Sequence, residues 1–131
     1  MTAHWTSRYV GRPYVDGGCW LLFRDVQAEQ YGRIVDVPSV PETTRAIVRA
    51  FEAGSQRHRW VPVTDRRDGD GVLMSENNAP HHVGTFVELP GGVHRVLHTL
   101  KGAGSALHSL GHIELLHFNI VGFYRPLETA S

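Results

Sequence analysis

The spacing of apolar residues changes near Gly54, and this change limits the possible folds more than any other feature of the sequence. Before Gly54 the apolar positions recur about every 3.6 residues, which is typical of helices that bury one side. After Gly54 apolar and polar residues alternate and β-branched residues become frequent, as in strands. Helices followed by strands predict an α+β fold, in which the helices cover one face of an antiparallel sheet.

The predicted elements follow from this spacing and from the glycine and proline residues that end each run. Three helices are expected first, at residues 3–10, Cys19 to about Tyr31, and Pro41 to Ala53. Six strands are expected next, at residues 60–63, 72–74, 83–89, 93–100, 106–110 and 118–124. Two connections are also predicted, a polar turn at residues 65–71 and a loop at residues 76–80.

The composition is that of one globular domain. With 131 residues, 41% hydrophobic and 20% charged, residues 1–131 are predicted to share a single core. Thirteen basic and 13 acidic residues cancel, which offers no electrostatic basis for binding nucleic acid or an anionic membrane. The first residues lack the apolar run of a signal peptide and no segment has transmembrane length, so we expect a soluble protein made inside the cell.

Cys19 is the only cysteine, and the pair Gly17-Gly18 precedes it directly. Two glycines allow a sharp turn, so a helix is predicted to begin at Cys19. A cysteine in the first turn lies among unpaired backbone N–H groups that favour an anion, which would lower the pKa of the thiol and make it a nucleophile. A single cysteine is also commonly a small buried core residue, so both interpretations stay open here.

The tripeptide Pro90-Gly91-Gly92 joins two predicted strands and predicts a hairpin. With a three-residue loop, Leu89 lies opposite Val93, and paired residues have numbers that sum to 182. This register places His98 on the same face as His82 and diagonal to it. A loop with an even number of residues would move His98 to the other face.

Cys19, His82 and His98 fit the roles of a nucleophile, a base and an orienting residue. His82 would act as general base and acid, and His98 would accept a hydrogen bond from the second imidazole nitrogen and so select the tautomer. His94 has the same strand parity, but it lies roughly 20 Å from this point.

The remaining histidines are weaker candidates, although nine in this chain is a large number. His81 is expected to face away from His82, and His58 is expected in solvent. Three others lie among predicted short strands and stay open as surface or core residues: His108, His112 and His117.

The segment from His112 to His117 differs from the zinc-protease motif. That motif needs two histidines four residues apart, with a glutamate directly after the first. Here the spacing is five, and Ile113 precedes Glu114. No metal or cofactor is therefore expected, although zinc binding by another set of histidines stays open.

Five segments that follow one another along the chain carry a resemblance to a known family: Gly11-Arg12-Pro13-Tyr14-Val15-Asp16-Gly17-Gly18, Cys19-Trp20, Gly69-Asp70-Gly71-Val72-Leu73-Met74, His82-Val83-Gly84 and Val96-Leu97-His98. In this order they resemble the NlpC-like cell-wall cysteine peptidases, which have a minimal papain-like fold. The Cys19-Trp20 pair, the short chain and the segment Gly122-Phe123-Tyr124-Arg125-Pro126 are most similar to the branch found in tail tips of tailed phages and in related gene-transfer particles.

The resemblance implies Cys19 as nucleophile, His82 as base and His98 as the third polar residue. It also implies that the Tyr14 hydroxyl holds the oxyanion together with the backbone N–H of Cys19. The implied activity is hydrolysis of amide bonds in peptidoglycan stem peptides, often between D-γ-glutamate and diaminopimelate. The implied location is a virion tail tip, where the domain aids genome entry and has a tail hub or tip protein as partner, without nucleic acid or membrane insertion.

Two departures from the family pattern concern the start of the predicted helix. Gly18 directly precedes Cys19, where most members have several residues that end in aspartate, and Leu21 replaces a common glycine. Two alternatives therefore stay open: a structural tail-tip adaptor with an inactive triad, and a thiol acyltransferase or hydrolase of another amide or ester.

Overall fold

The computed structural model describes residues 4–15, 18–35, 59–76 and 79–127. Within these ranges the chain forms one six-stranded antiparallel sheet, a long helix on one face and a short helix on the other. The predicted α+β class, with helical packing on an antiparallel sheet, is therefore confirmed. In the described ranges no helix is long and apolar enough to span a membrane.

The last strand of the chain lies inside the sheet rather than at its edge. In chain order the elements are a 3-10 helix at Trp5–Arg8, α1 at Gly18–Tyr31, β1 at Arg59–Val63, β2 at Gly71–Glu76, β3 at Ala79–Leu89, β4 at Val93–Leu100, β5 at Gly104–His108, α2 at Leu110–Leu115 and β6 at Phe118–Leu127. Their order across the sheet is β1-β6-β2-β3-β4-β5.

Helix α1 has the bounds that the sequence predicts, to within one residue. It starts at Gly18 and stops at Tyr31, because Gly32 adopts a φ of 64°, a conformation that glycine reaches without steric cost. It packs on β3 and β4 and buries one side, which consists of Trp20, Leu22, Phe23, Val26 and Gln27. This packing holds the start of α1 against β3.

The β3–β4 hairpin has the register that its three-residue turn predicts. Leu89 lies opposite Val93, and Thr85 lies opposite Leu97, so the numbers of each pair sum to 182. The turn is possible because Gly91 and Gly92 adopt φ values of 83° and 75°.

One of the two predicted connections differs from the structure. Strand β2 continues to Glu76 and β3 begins at Ala79, so the loop predicted at residues 76–80 is wrong. The β2–β3 register shifts between Met74 and Ser75, an irregularity that lets pairing continue and that alternation alone does not reveal.

The strand predicted at residues 106–110 lies earlier in the structure, at Gly104–His108. The residues after it form α2, because the Ser109 side chain accepts a hydrogen bond from the backbone N–H of His112 and caps that helix. A helix of six residues is too short to produce a clear periodic pattern.

The helix predicted at residues 3–10 is shorter and tighter in the structure. The described part is a 3-10 helix at Trp5–Arg8, after which Tyr9 is fully buried and Trp5 is half-buried. The aromatic side therefore faces inward, as predicted. The helix predicted at Pro41 to Ala53 lies outside the described residues.

The two faces of the sheet carry separate cores. The face under α1 includes Trp20, Phe23, Val35, Trp60, Leu73, Val83 and Tyr124. The opposite face, which α2 covers, includes Val72, Met74, Phe86, Val96, Ile113, Phe118 and Phe123. Because consecutive strand residues point to opposite faces, Val83 lies on the α1 face, whereas His82 lies on the α2 face.

Candidate active site

The thiol of Cys19 lies in the first turn of α1, half-buried against the core of the α1 face. Burial raises the pKa of this thiol, because the thiolate loses hydration. The backbone N–H groups of Val83, Trp20 and Cys19 lower the pKa, but their effect is smaller. The prediction that the helix start lowers the net thiol pKa is therefore wrong, and a nucleophilic role for Cys19 would require a base.

His82 and His98 lie in contact, as the hairpin register predicts. His82 Nε2 is 2.7 Å from His98 Nδ1, a hydrogen-bonding distance. The His82 ring stacks on Phe118 with 4.6 Å between ring centroids, and the His98 side chain is fully buried. These contacts restrain the orientation of both imidazoles.

The row of imidazoles continues past His98 to residues that sequence analysis left open. His98 Nε2 lies 2.8 Å from His108 Nδ1, and the rings of His108 and His112 are 4.2 Å apart. Strand β5 pairs with β4 so that His108 lies opposite Val96, diagonal to His98 on the same face. The sequence carried a signal for this neighbour, because any loop with an odd number of residues between β4 and the next paired strand puts His108 on the same face as His98.

The pKa of His98 is lowered from 6.5 to about 3, chiefly by burial and to a smaller extent by the nearby imidazoles of His82, His108 and His112. Burial and His112 also lower the pKa of His108. His98 is therefore neutral at pH 7, with one N–H and one unprotonated ring nitrogen.

Cys19 and His82 approach the same point of β3 from different faces of the sheet. Cys19 packs on the α1 face, and its sulfur lies near the backbone N–H of Val83, the residue after His82. The His82 ring lies on the α2 face beside Phe118. The two side chains thus lie at adjacent positions of β3 but on opposite faces of the sheet.

Gly84 permits the close approach of β3 and β4 beside this point. A Cβ at Gly84 would lie 2.6 Å from Val96 Cγ1 and 3.1 Å from His98 Cβ. A larger residue would therefore push His98 away from β3. The glycine in the His82-Val83-Gly84 segment has a direct steric role in the contact between the two histidines.

Tyr14, the predicted oxyanion residue, lies beside the start of α1. It is half-buried, and a Cβ at Gly18 would lie 3.3 Å from two carbons of its ring. The structure therefore places the Tyr14 ring next to the residue that precedes Cys19. The backbone N–H of Cys19, the second predicted oxyanion donor, is in the first helical turn.

A cavity of about 270 Å³ opens beside the helix start, next to the thiol rather than around it. Its lining includes Gly18 and Leu21 from α1 and Thr99 from β4, the residue after His98. Arg12 and Asp25 add one charge of each sign. Leu21, which replaces the glycine common in the resembling family, is thus a wall of this cavity.

Two further histidines that the structure describes, His94 and His117, lie outside this cluster. His94 is exposed, stacks on Phe86 and lies 3.7 Å from the Glu88 carboxylate, while His117 is exposed. His58 and the side chain of His81 lie outside the described residues. In the part of the chain that the structure describes, no group of three or more His, Cys, Asp or Glu side chains is arranged to hold a metal ion.

The chain was compared with protein-family models, with curated proteins and with solved structures, and none of the three comparisons found a match.

Proposed function

We propose that this chain is a cysteine endopeptidase that hydrolyses amide bonds in peptidoglycan stem peptides, as a component of a phage tail tip. One observation carries the chemistry: the Cys19 sulfur lies at the backbone of Val83, directly after His82, whose ring is hydrogen-bonded to His98. The substrate class and the virion location rest on the resemblance of the five ordered segments to NlpC-like peptidases.

In this proposal the reaction passes through a thioester. His82 takes the proton of the Cys19 thiol while the sulfur attacks the amide carbonyl, and the same proton is given to the leaving amine. A water molecule then attacks the thioester, His82 accepts one of its protons, and the sulfur leaves with that proton. Because burial raises the thiol pKa, proton transfer to His82 accompanies attack instead of preceding it.

The oxyanion would form near the start of α1. The backbone N–H of Cys19 and the hydroxyl of Tyr14, whose ring lies beside Gly18, are the donors assigned to it. Such donors commonly supply the largest single part of the rate enhancement in acyl transfer. Tyr14→Phe is expected to lower kcat by about tenfold to a hundredfold.

A structural tail-tip adaptor is the second candidate, and one feature of the site favours it. Cys19 and His82 belong to opposite faces of the sheet, and burial raises the pKa of the thiol. An inactive descendant of a peptidase would retain such a fold without needing a reactive thiol. In either case a tail hub or tip protein is the proposed partner that carries the domain to the cell wall.

The decisive experiment incubates the purified protein with peptidoglycan and identifies the released muropeptides by mass spectrometry. We expect cleavage by the parent protein and at least a thousandfold loss in Cys19→Ala and in His82→Ala, because each removes a participant in the reaction. The product masses identify the bond that is cut.

His94→Ala is the matched control, since His94 is an exposed histidine outside the cluster. It should retain the parent rate. A folded parent protein that releases no muropeptide contradicts the peptidase proposal and favours the adaptor. Cleavage of another amide or ester, or transfer of its acyl group to an added amine, would retain the thiol chemistry but replace the substrate.

A further inference from the structure

His82, His98 and His108 form a row in which the direction of one hydrogen bond determines the direction of the other. Each neutral imidazole has one N–H donor and one acceptor nitrogen. His98 uses Nδ1 toward His82 and Nε2 toward His108, so donating at one end requires accepting at the other. The whole row therefore has two proton arrangements, and only one suits a base at His82.

In the first arrangement every shared proton points toward His108. His82 Nε2–H donates to His98 Nδ1, and His98 Nε2–H donates to His108 Nδ1, which leaves Nδ1 of His82 unprotonated. In the second arrangement both bonds are reversed, and His82 carries its proton on Nδ1. Because Nε2 of His82 lies against His98, the proposed reaction requires Nδ1 of His82 to take the proton of the thiol, and only the first arrangement allows this.

We propose that His108 is a positioning residue for the reaction, because it accepts a hydrogen bond from His98 and thereby selects the tautomer of His82 that can act as a base. This inference rests on the proposed function, in which His82 takes the proton of Cys19. A fourth residue is required because the third residue of the site is itself an imidazole. A carboxylate or amide carbonyl oxygen in its place would accept without a further partner.

Protonation of His108 reverses the arrangement. A doubly protonated His108 donates from Nδ1, so His98 must accept at Nε2 and donate to His82, which then holds its proton on Nδ1. The titratable groups that bear on His108 are His98 of β4 and His112 of α2. Burial lowers the pKa of His108, which keeps this ring neutral, and able to accept, at pH 7.

The tautomers are measured directly on the parent protein by long-range proton–nitrogen NMR of its histidine rings. Signals are assigned from spectra of His98→Asn and His108→Asn. We expect His98 and His82 to carry their protons on Nε2 at pH 7. A proton on Nδ1 of His98 overturns the proposal, whatever the variants do.

Two substitutions of His108 distinguish the effect of its hydrogen-bond acceptor from the effect of its side-chain volume. Asn places a carbonyl oxygen near the position of Nδ1, whereas Leu fills a similar volume without an acceptor. The readout is the second-order rate constant for alkylation of Cys19 by iodoacetamide, measured as a function of pH. In this reaction the sulfur displaces iodide and His82 takes the thiol proton. We expect His108→Leu to lower the rate about tenfold at pH 7, and His108→Asn to stay within about threefold of the parent.

His94→Asn is the control, and it should match the parent at every pH. If the parent and His108→Leu have the same pH profile of alkylation, and NMR spectra show that both proteins are folded, the proposal is overturned. Neither measurement uses peptidoglycan. If the parent protein shows the expected tautomers and pH profile but releases no muropeptide, only the proposed substrate is contradicted. If it cleaves peptidoglycan but His108→Leu has the same pH profile as the parent, only the role of His108 is contradicted.

Discussion

Two buried polar clusters lie on the same sheet and differ in how their protons are arranged. In the first, Asp70 accepts two hydrogen bonds from Arg125, from Nε and from Nη2, both at 2.9 Å, and a third from the backbone N–H of Arg67. In the second, His82, His98 and His108 form a row of hydrogen-bonded imidazoles. The Asp70 carboxylate is 1% exposed and the His98 side chain is fully buried.

The difference lies in the chemistry of the donors. Arg125 can only donate and the Asp70 carboxylate can only accept, so that cluster has one hydrogen-bond arrangement at neutral pH. Hydrogen bonding to Asp70 raises the pKa of Arg125, and this keeps the guanidinium charged. Imidazoles can donate or accept at either nitrogen, so the second cluster has two arrangements. The first cluster is suited to holding β2 and β6 together, and the second to moving a proton.

The largest effect is expected from breaking the Asp70–Arg125 pair. Asp70→Asn removes the buried carboxylate and leaves Arg125 without its bidentate partner, so we expect the free energy of unfolding to fall by about 3 kcal/mol. Urea denaturation at pH 7 measures it. The rate of Cys19 alkylation should not change, because the fold is weakened without altering the imidazole row.

Asp25→Asn is the control for that prediction. Asp25 pairs with its neighbour Arg24 on the surface of α1, where its side chain is 40% exposed. Surface pairs of this kind contribute less than about 1 kcal/mol. Equal losses for Asp70→Asn and Asp25→Asn would show that the buried pair does not stabilise the fold.

A smaller effect is expected from acid, through His98. In the unfolded chain its pKa returns to about 6.5, whereas burial holds the folded pKa at about 3. Between these values the unfolded chain binds a proton that the folded chain does not, so stability falls as the pH falls. This group alone should lower the free energy of unfolding by about 2 kcal/mol between pH 6 and pH 4.5.

Urea denaturation of the parent and of His98→Asn over this pH range measures the contribution of His98. The variant should lack that part of the pH dependence, since asparagine does not titrate. His94→Asn, an exposed histidine on the same strand, should keep it. A His98→Asn variant with the same pH dependence as the parent would show that His98 is protonated in the folded state.

The smallest effect is expected for the energetic coupling between the two clusters. Asp70 lies four residues before Met74, which pairs with His82, so the clusters are roughly 13 Å apart along the strand. The losses for Asp70→Asn and His98→Asn should therefore add to within about 0.5 kcal/mol in the double variant. Coupling well above this value would mean that the two clusters form one network.

The sequence by itself determined the elements that depend on neighbouring residues. Gly32 ends α1, and the three-residue turn fixes the β3–β4 register. These depend on backbone conformations that glycine permits and on the twofold period of a strand. The contact of His82 with His98 follows from that register, and for this reason it could be predicted.

Only the tertiary structure decided the rest of the site. His108 joins the row because β5 pairs with β4, and Cys19 meets β3 because α1 packs across the sheet. The same packing buries the thiol and raises its pKa, against the effect of the helix start. Alternation shows which face a residue occupies, but the residues that share that face come from distant parts of the chain, and their burial sets the electrostatics of the site.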